Sequence, residues 1–398
     1  MRTLKYWFEK PYFVWLLVCI GYLSVFFSVT APTPFNESEQ QHYDILKQFS
    51  ESSFPPKIGL IRNLDNWQGH IGFYGIMGRA FLILKGDPIN LRLLSLAIAL
   101  AAVLIFVKLG YTYVYHNRFN PLWVSIATVL FAVNPYMLET AFQISPMGLF
   151  ITLLLLAMLL FKKERIVLGA VVLSLATLLD WTALLLAVAV SVARILENES
   201  RVLRIERVLA LLLPFVVGAL PFIAWRGLVP EGDARGMWEA YWHGRPFFRL
   251  DALYYSIALL PVYGLYFTWS WGLRARTREQ TVGAIVTALS IPIFFLFPAK
   301  DETGKVLGLM DELMYQASIQ YKNLLLFVPW IFGMFLFVQL ILAQTRDRSR
   351  SLRFFIVLFF LAQPFVVGSG DREFLAVVPF LLLFTLSESL VGDEGKLA

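Results

Sequence analysis

Two carboxylates, Glu37 and Glu39, stand in the polar stretch Asn36-Glu37-Ser38-Glu39-Gln40-Gln41-His42-Tyr43-Asp44, directly after a long apolar run. A carboxylate tethered there sits near lipid headgroups, where it can take the proton from an attacking hydroxyl or orient it, the ordinary work of a general base. The same stretch also serves as a plain hydrated loop. Near the other end of the chain, Arg372 lies between Asp371 and Glu373 at the mouth of another apolar run. A guanidinium there can grip a phosphate through paired hydrogen bonds, or anchor a helix end by snorkelling. Lys300, Lys305 and Lys322 could bind a diphosphate or lipid headgroups, with interfacial anchoring as the plainer role. Asp180 interrupts a hydrophobic stretch, where an ionisable group is a functional hypothesis by default; a hydrated turn between two short helices is the alternative. His70 and His243 each lack a second histidine at ligand spacing, so no metal site is expected. Trp238, Tyr241, Trp242, His243 and Arg245 read as an interfacial aromatic belt, with a stacking surface for a sugar ring as the sharper option.

The elements that must position these groups are apolar. Hydrophobic residues make up 58% of the chain and charged ones 16%, with a mean hydropathy of +0.66, which points to lipid as the solvent. Apolar runs recur from Phe13 to Val391 with no stretch left for a separate soluble domain, so residues 1–398 read as a single multi-span membrane domain. The net charge of +6 comes from short Lys/Arg clusters with no nucleic-acid-reading motif beside them, so nucleic acid is excluded as a partner. One cysteine, Cys19, excludes a disulfide framework and a cysteine-based metal site. The basic N-terminus and its apolar run resemble a signal peptide, but the run is bulky and Ala31-Pro32-Thr33-Pro34 is a poor cleavage site, so a retained helix is expected.

The fold class expected is an all-α polytopic membrane protein. Its spans fall near 12–30, 91–113, 120–137, 147–161, 166–179, 181–195, 208–225, 252–271, 281–298, 323–343, 353–369 and 374–391. With a cytoplasmic N-terminus, the clusters Lys162-Lys163-Glu164-Arg165, Arg201/Arg204/Arg207, Arg274/Arg276/Arg278 and Arg346/Arg348/Arg350/Arg353 all fall inside, as the positive-inside rule requires. Both termini are then cytoplasmic. Counting 166–195 as one crossing would put Arg274/Arg276/Arg278 outside, so two crossings are preferred. The first outer loop, 31–90, carries the candidate acids, and its segment Ile71 to Leu84 suits an interfacial helix.

The order of these features resembles the GT-C superfamily of membrane glycosyltransferases, in particular bacterial relatives of the protein mannosyltransferase and lipid A aminoarabinose transferase families. Glu39-Gln40-Gln41-His42-Tyr43 is similar to the family's acidic segment, with Ser38 in place of the first acid. Asp65 to Leu84 resembles its surface-helix segment, with Gln68-Gly69-His70 where His-Pro-Pro is usual, followed by Gly86-Asp87-Pro88 to Arg92-Leu93-Leu94-Ser95. Asn134-Pro135-Tyr136 through Ser145-Pro146-Met147 resembles the turn before a Leu-rich span. Asp180-Trp181-Thr182 stands where His-Tyr-Thr is common, and Asp371-Arg372-Glu373-Phe374-Leu375 resembles the Arg-Tyr-Leu-Leu segment of the last core span.

The resemblance implies transfer of a sugar from a polyprenyl-phosphate donor to a lipid, glycan or protein acceptor on the non-cytoplasmic side, in the bacterial inner membrane. Glu39 is the implied catalytic acid, with Glu37 as rival, and His42, His70, Asp180, Lys305 and Arg372 are the implied substrate-binding residues. No cofactor is implied; a divalent cation is left open without a motif to hold it. The competing reading is a transporter or flippase for a lipid-linked or anionic solute, which predicts paired intramembrane charges and an inverted repeat; Asp180 keeps it open. A non-catalytic scaffold, tolerant of losing Glu37, Glu39 and Arg372, is a third.

Overall fold

In the computed structural model the described residues are 10–51, 70–114, 121–197, 205–226, 235–236, 239, 248–263, 277–296, 322–342, 347–365 and 374–388. All regular structure among them is helical. Among the described residues three helical stretches, Tyr12–Thr30, Pro88–Tyr113 and Arg278–Leu296, are long and apolar enough to cross a bilayer, and eight shorter apolar helices accompany them. Only 28% of the first and 22% of the third is covered by protein. Their flanks therefore need an apolar solvent, as do Phe27, Ile223, Leu289 and Leu296, which are all more than half exposed. The described residues are all-helical, consistent with a multi-pass membrane protein.

The chain divides into two compact units, Met1–Leu109 with Met137–Arg245, and Gly110–Tyr136 with Pro246–Ala398. The first holds α1 (Pro11–Val25) with its π-helical extension Phe26–Thr30, α2 (Glu37–Glu51), α3 (Ile71–Ile83) and most of α4 (Pro88–Val114). It also holds most of α6 (Pro135–Phe142), α7 (Pro146–Lys162), α8 (Ile166–Thr177), α9 (Ala183–Glu197) and α10 (Ile205–Trp225). The stretch 166–195 holds two helices, α8 and α9, separated by a turn. α8 packs between α7 and α10. The α7–α8 hairpin closes through Glu164 in left-handed geometry (φ 59°) and the Arg165 N–H to Leu160 carbonyl bond of 2.9 Å. Side chains staple this unit: the Trp15 indole donates to the Leu100 carbonyl at 3.1 Å and the Thr152 hydroxyl to the Ile98 carbonyl at 3.1 Å. Each such bond satisfies a donor that lipid could not.

The second unit holds α5 (Leu122–Ala132), α11 (Leu250–Tyr263), α12 (Thr277–Leu296), α13 (Lys322–Leu342), α14 (Asp347–Ala362), a 3-10 turn at Gln363–Phe365 and α15 (Val378–Glu388). α13 packs against α11, α12 and α14. Gly333 lets α13 approach α11 so closely that a Cβ there would lie 1.9 Å from the Ile257 carbonyl oxygen. Trp330, Phe294, Tyr254 and Phe327 fill the adjoining space, with the Phe294 and Trp330 ring centroids 4.5 Å apart.

Two of the expected runs are not continuous helices. The run 120–137 is broken after Ala132. Asn134 Oδ1 accepts the Tyr136 N–H at 3.0 Å, and Pro135, which has no N–H to continue a ladder, opens α6 instead. In the described part of the run 374–391 the helix Val378–Glu388 follows a turn at 375–377, where the Val377 N–H donates to the Phe374 carbonyl at 3.0 Å.

Candidate functional site

The stretch after the first helix is itself a helix, and its start explains why. Asn36 accepts the Glu39 N–H on its side-chain oxygen at 2.8 Å, the usual N-cap bond to the third residue, and its carbonyl accepts the Gln40 N–H. Glu39, His42, Ile45, Leu46 and Phe49 then fall on one buried face of α2, while Glu37, in the first turn, stays exposed.

Glu39 is 1% exposed and its charge is met by Arg92 of α4. Arg92 Nε donates to Oε1 at 2.7 Å and Nη2 to Oε2 at 2.6 Å, the paired geometry that suits guanidinium and carboxylate. The Ile144 N–H, from the α6–α7 connection, adds a third bond to Oε1 at 3.2 Å. Arg92 also donates from Nη1 to the Thr30 and Thr33 carbonyls, each at 2.8 Å, and from Nη2 to the Pro34 carbonyl at 3.2 Å. All five of its N–H groups are thus used, and its Cζ lies 4.7 Å from the Phe35 ring centre. The cation sits against carbonyls at and just beyond the end of the first helix, where negative partial charge gathers. One ion pair therefore fixes the end of α1, the start of α2, the start of α4 and the α6–α7 connection.

Three residues along α2, His42 shares a hydrogen bond of 2.9 Å between Nδ1 and the Tyr74 hydroxyl of α3. Phe49 packs on Tyr74, and a Cβ at Gly78 would lie 3.1 Å from Phe49 Cβ, so the two helices touch closely. α3 ends where Lys85 and Gly86 turn left-handed (φ 56° and 66°), and Tyr43 donates to the Gly86 carbonyl at 2.8 Å.

The N-terminus of α3 is latched to the α8–α9 turn. The Gly72 N–H donates to the Leu178 carbonyl at 2.9 Å, and His70 Nδ1 to the Leu179 carbonyl at 2.6 Å. A carbonyl only accepts, so Nδ1 carries the proton. Gly72 is required by proximity: a Cβ there would lie 2.8 Å from Leu178 Cβ. Burial pushes the His70 imidazole below its ordinary value, opposed by the Leu179 carbonyl and the nearby Asp180 carboxylate. The His42 and His70 ring centroids are 6.5 Å apart. Asp180 follows in the same turn, half-buried, with Oδ1 accepting both the N–H and the hydroxyl of Thr182 at 2.7 Å.

No family model matches the chain, and no curated protein or solved structure matches it.

Of the residues singled out from sequence, Glu39, His42, His70 and Asp180 lie along one connected run of contacts through α2, α3 and the α8–α9 turn. Glu37 stands apart in solvent. Lys305 and Arg372 lie outside the described residues. Among the described residues no group of three or more His, Cys, Asp or Glu side chains could hold a metal ion. Sequence reasoning does not mark Arg92, Tyr74 and Thr182 as functional positions. For Arg92 a signal existed, a cation one residue into an apolar span.

Proposed function

We propose that the chain is a membrane glycosyltransferase that takes a sugar from a polyprenyl-phosphate donor and passes it to a lipid, glycan or protein acceptor on the non-cytoplasmic side. The observation that carries the proposal is the first-loop helix α2, whose acid- and histidine-bearing face is built into the ends of apolar helices rather than left as a wet loop. A wet loop has no reason to bury Glu39 and His42 or to spend a fully bonded arginine on holding them. The order of motifs that resembles GT-C enzymes supports the same reading. The topology that goes with it has about twelve crossings, both termini cytoplasmic, in the bacterial inner membrane.

Within this proposal the Glu39 oxygens are occupied by Arg92 and Ile144, so its contribution is to fix the helix that carries His42. It is a positioning residue rather than a free base. Glu37 is exposed to solvent and has no shielded environment in which to select an acceptor. Arg372 and Lys305 are assigned to the phosphate of the donor, where neutralising the charge of the leaving group is the larger part of catalysis.

The test is purified protein in proteoliposomes with polyprenyl phosphate carrying labelled mannose, glucose or aminoarabinose. Sugar release or transfer that needs the protein, and that weakens on Arg372→Ala, is expected. Movement of intact donor across the bilayer without release would support a flippase instead, and no release from any donor removes the proposal.

A further inference from the structure

We infer that Asp180 is the carboxylate that faces the acceptor and receives its proton, an inference that rests on the glycosyl-transfer reading above. Three carboxylates of the first unit were candidates, and their surroundings separate them. Glu39 is sealed against Arg92. Glu37 is surrounded by solvent, which holds it in no fixed direction. Asp180 alone of the three is both partly open and held in one orientation.

The orientation comes from Thr182. Two bonds of 2.7 Å from its N–H and hydroxyl to Oδ1 fix the carboxylate plane, and among the described residues nothing bonds to Oδ2. The backbone just before Asp180 is fixed as well, because α3 donates to the carbonyls of Leu178 and Leu179. The turn is therefore clamped from both sides, as a group that must meet a reacting atom has to be. The neighbouring imidazole of His70 is held neutral by burial, so it does not lock Asp180 into an ion pair.

In the step itself, the acceptor oxygen forms a bond to the sugar C1 while its proton passes to Asp180 Oδ2. The bond from C1 to the phosphate oxygen breaks, and its electron pair leaves with the polyprenyl phosphate. The products are the glycoside, polyprenyl phosphate and protonated Asp180, which returns the proton to water. With water as acceptor, the same step releases free sugar.

The experiment is release of labelled sugar from whichever donor of the panel the wild-type protein uses, comparing Asp180→Asn with wild type in water and in added azide. Asparagine keeps the Oδ1 that Thr182 bonds, so the turn is retained while the proton acceptor is lost. Asp180→Asn should lower release to water by about a hundredfold or more. Azide needs no deprotonation, so glycosyl azide should form within a few-fold of the wild-type rate. Release to water within about threefold of wild type would overturn the assignment. So would loss of glycosyl azide formation together with hydrolysis in protein that still unfolds at the wild-type temperature. If Asp180→Asn does not fold, Asp180→Glu decides, since a longer carboxylate should keep measurable release, and a folded but inactive Asp180→Glu counts against the role. A wild-type protein that releases no sugar from any donor ends the glycosyl-transfer reading and this inference together, whereas an active wild type with an equally active Asp180→Asn ends this inference alone.

Discussion

Around Glu39 the helices are joined by directional bonds to a charge and to single backbone carbonyls, whereas around Trp330 they are joined by stacked rings and a glycine that brings two backbones into contact. The first arrangement fixes angles and distances but depends on every partner being present, since a buried charge without its partner is costly. The second depends on shape, so that lost and added volume are both felt. Precision of the first kind belongs where groups must meet a substrate. Close packing of the second kind suits a region that only has to stay together.

The largest expected effect comes from breaking the ion pair. Arg92→Met leaves the Glu39 carboxylate buried without a counter-charge and frees the carbonyls at the end of the first helix, and should cost about 3–5 kcal/mol. Replacing both partners, Arg92→Met with Glu39→Met, removes the stranded charge and should be markedly milder. Denaturant or thermal unfolding in detergent of the two variants side by side gives the answer. A double variant no more stable than the single one would show that Arg92 acts mainly through the carbonyls.

In the second unit the corresponding break is steric. Gly333→Ala places a methyl 1.9 Å from the Ile257 carbonyl oxygen, and backbone cannot swing aside as a side chain can. The helices α11 and α13 must separate, at about 1–3 kcal/mol. Gly75→Ala on α3, where nothing lies within 4 Å of the added carbon, is the control and should be neutral or slightly stabilising through helix propensity. Equal melting temperatures for Gly333→Ala and wild type would remove the close approach as a feature of the second unit.

The difference between the two regions also decides what sequence could foretell. Apolar runs give helices wherever the backbone must satisfy itself, so the helices α3, α4, α7, α8 and α9 fall close to their expected places. The Asn134-Pro135 turn was legible too, but its consequence, a helix broken in two, follows from the Asn134 side chain competing for the Tyr136 N–H. The stretch of α2 reads as a polar segment in sequence, although Ile45, Leu46 and Phe49 give it an apolar face. Its pairing with α4 was not legible, because Glu39 and Arg92 are far apart in the chain and nothing local to either names the other. Likewise Asp180 could be marked as an ionisable group out of place, while the Thr182 bonds that orient it depend on the shape of one turn.

A subtler break uses pH. Burial lowers the His70 imidazole from its ordinary 6.5 in the folded protein, so below that pH the unfolded chain binds a proton that the folded one refuses. The stability from the neutral imidazole is complete above that ordinary value. It is lost as pH falls through 6.5 towards the depressed folded value. Protonation would also set a cation beside Asp180 and His42, changing the latch between α3 and the α8–α9 turn. The fall in unfolding temperature from pH 7 to pH 5 should be smaller in His70→Gln than in wild type, and an identical fall would assign it to other groups.

The smallest expected effect isolates one directional bond. Tyr74→Phe removes the hydroxyl that pairs with His42 Nδ1 at 2.9 Å but keeps the ring that packs on Phe49 and Phe73. Net loss of a buried hydrogen bond is worth about 0.5–1.5 kcal/mol, so unfolding should shift only slightly. If the α2–α3 contact is built for position rather than cohesion, sugar release should fall by more than that small stability loss accounts for. A variant equally mild in both measurements would place the His42–Tyr74 bond with the packing contacts of the second unit, as cohesion alone.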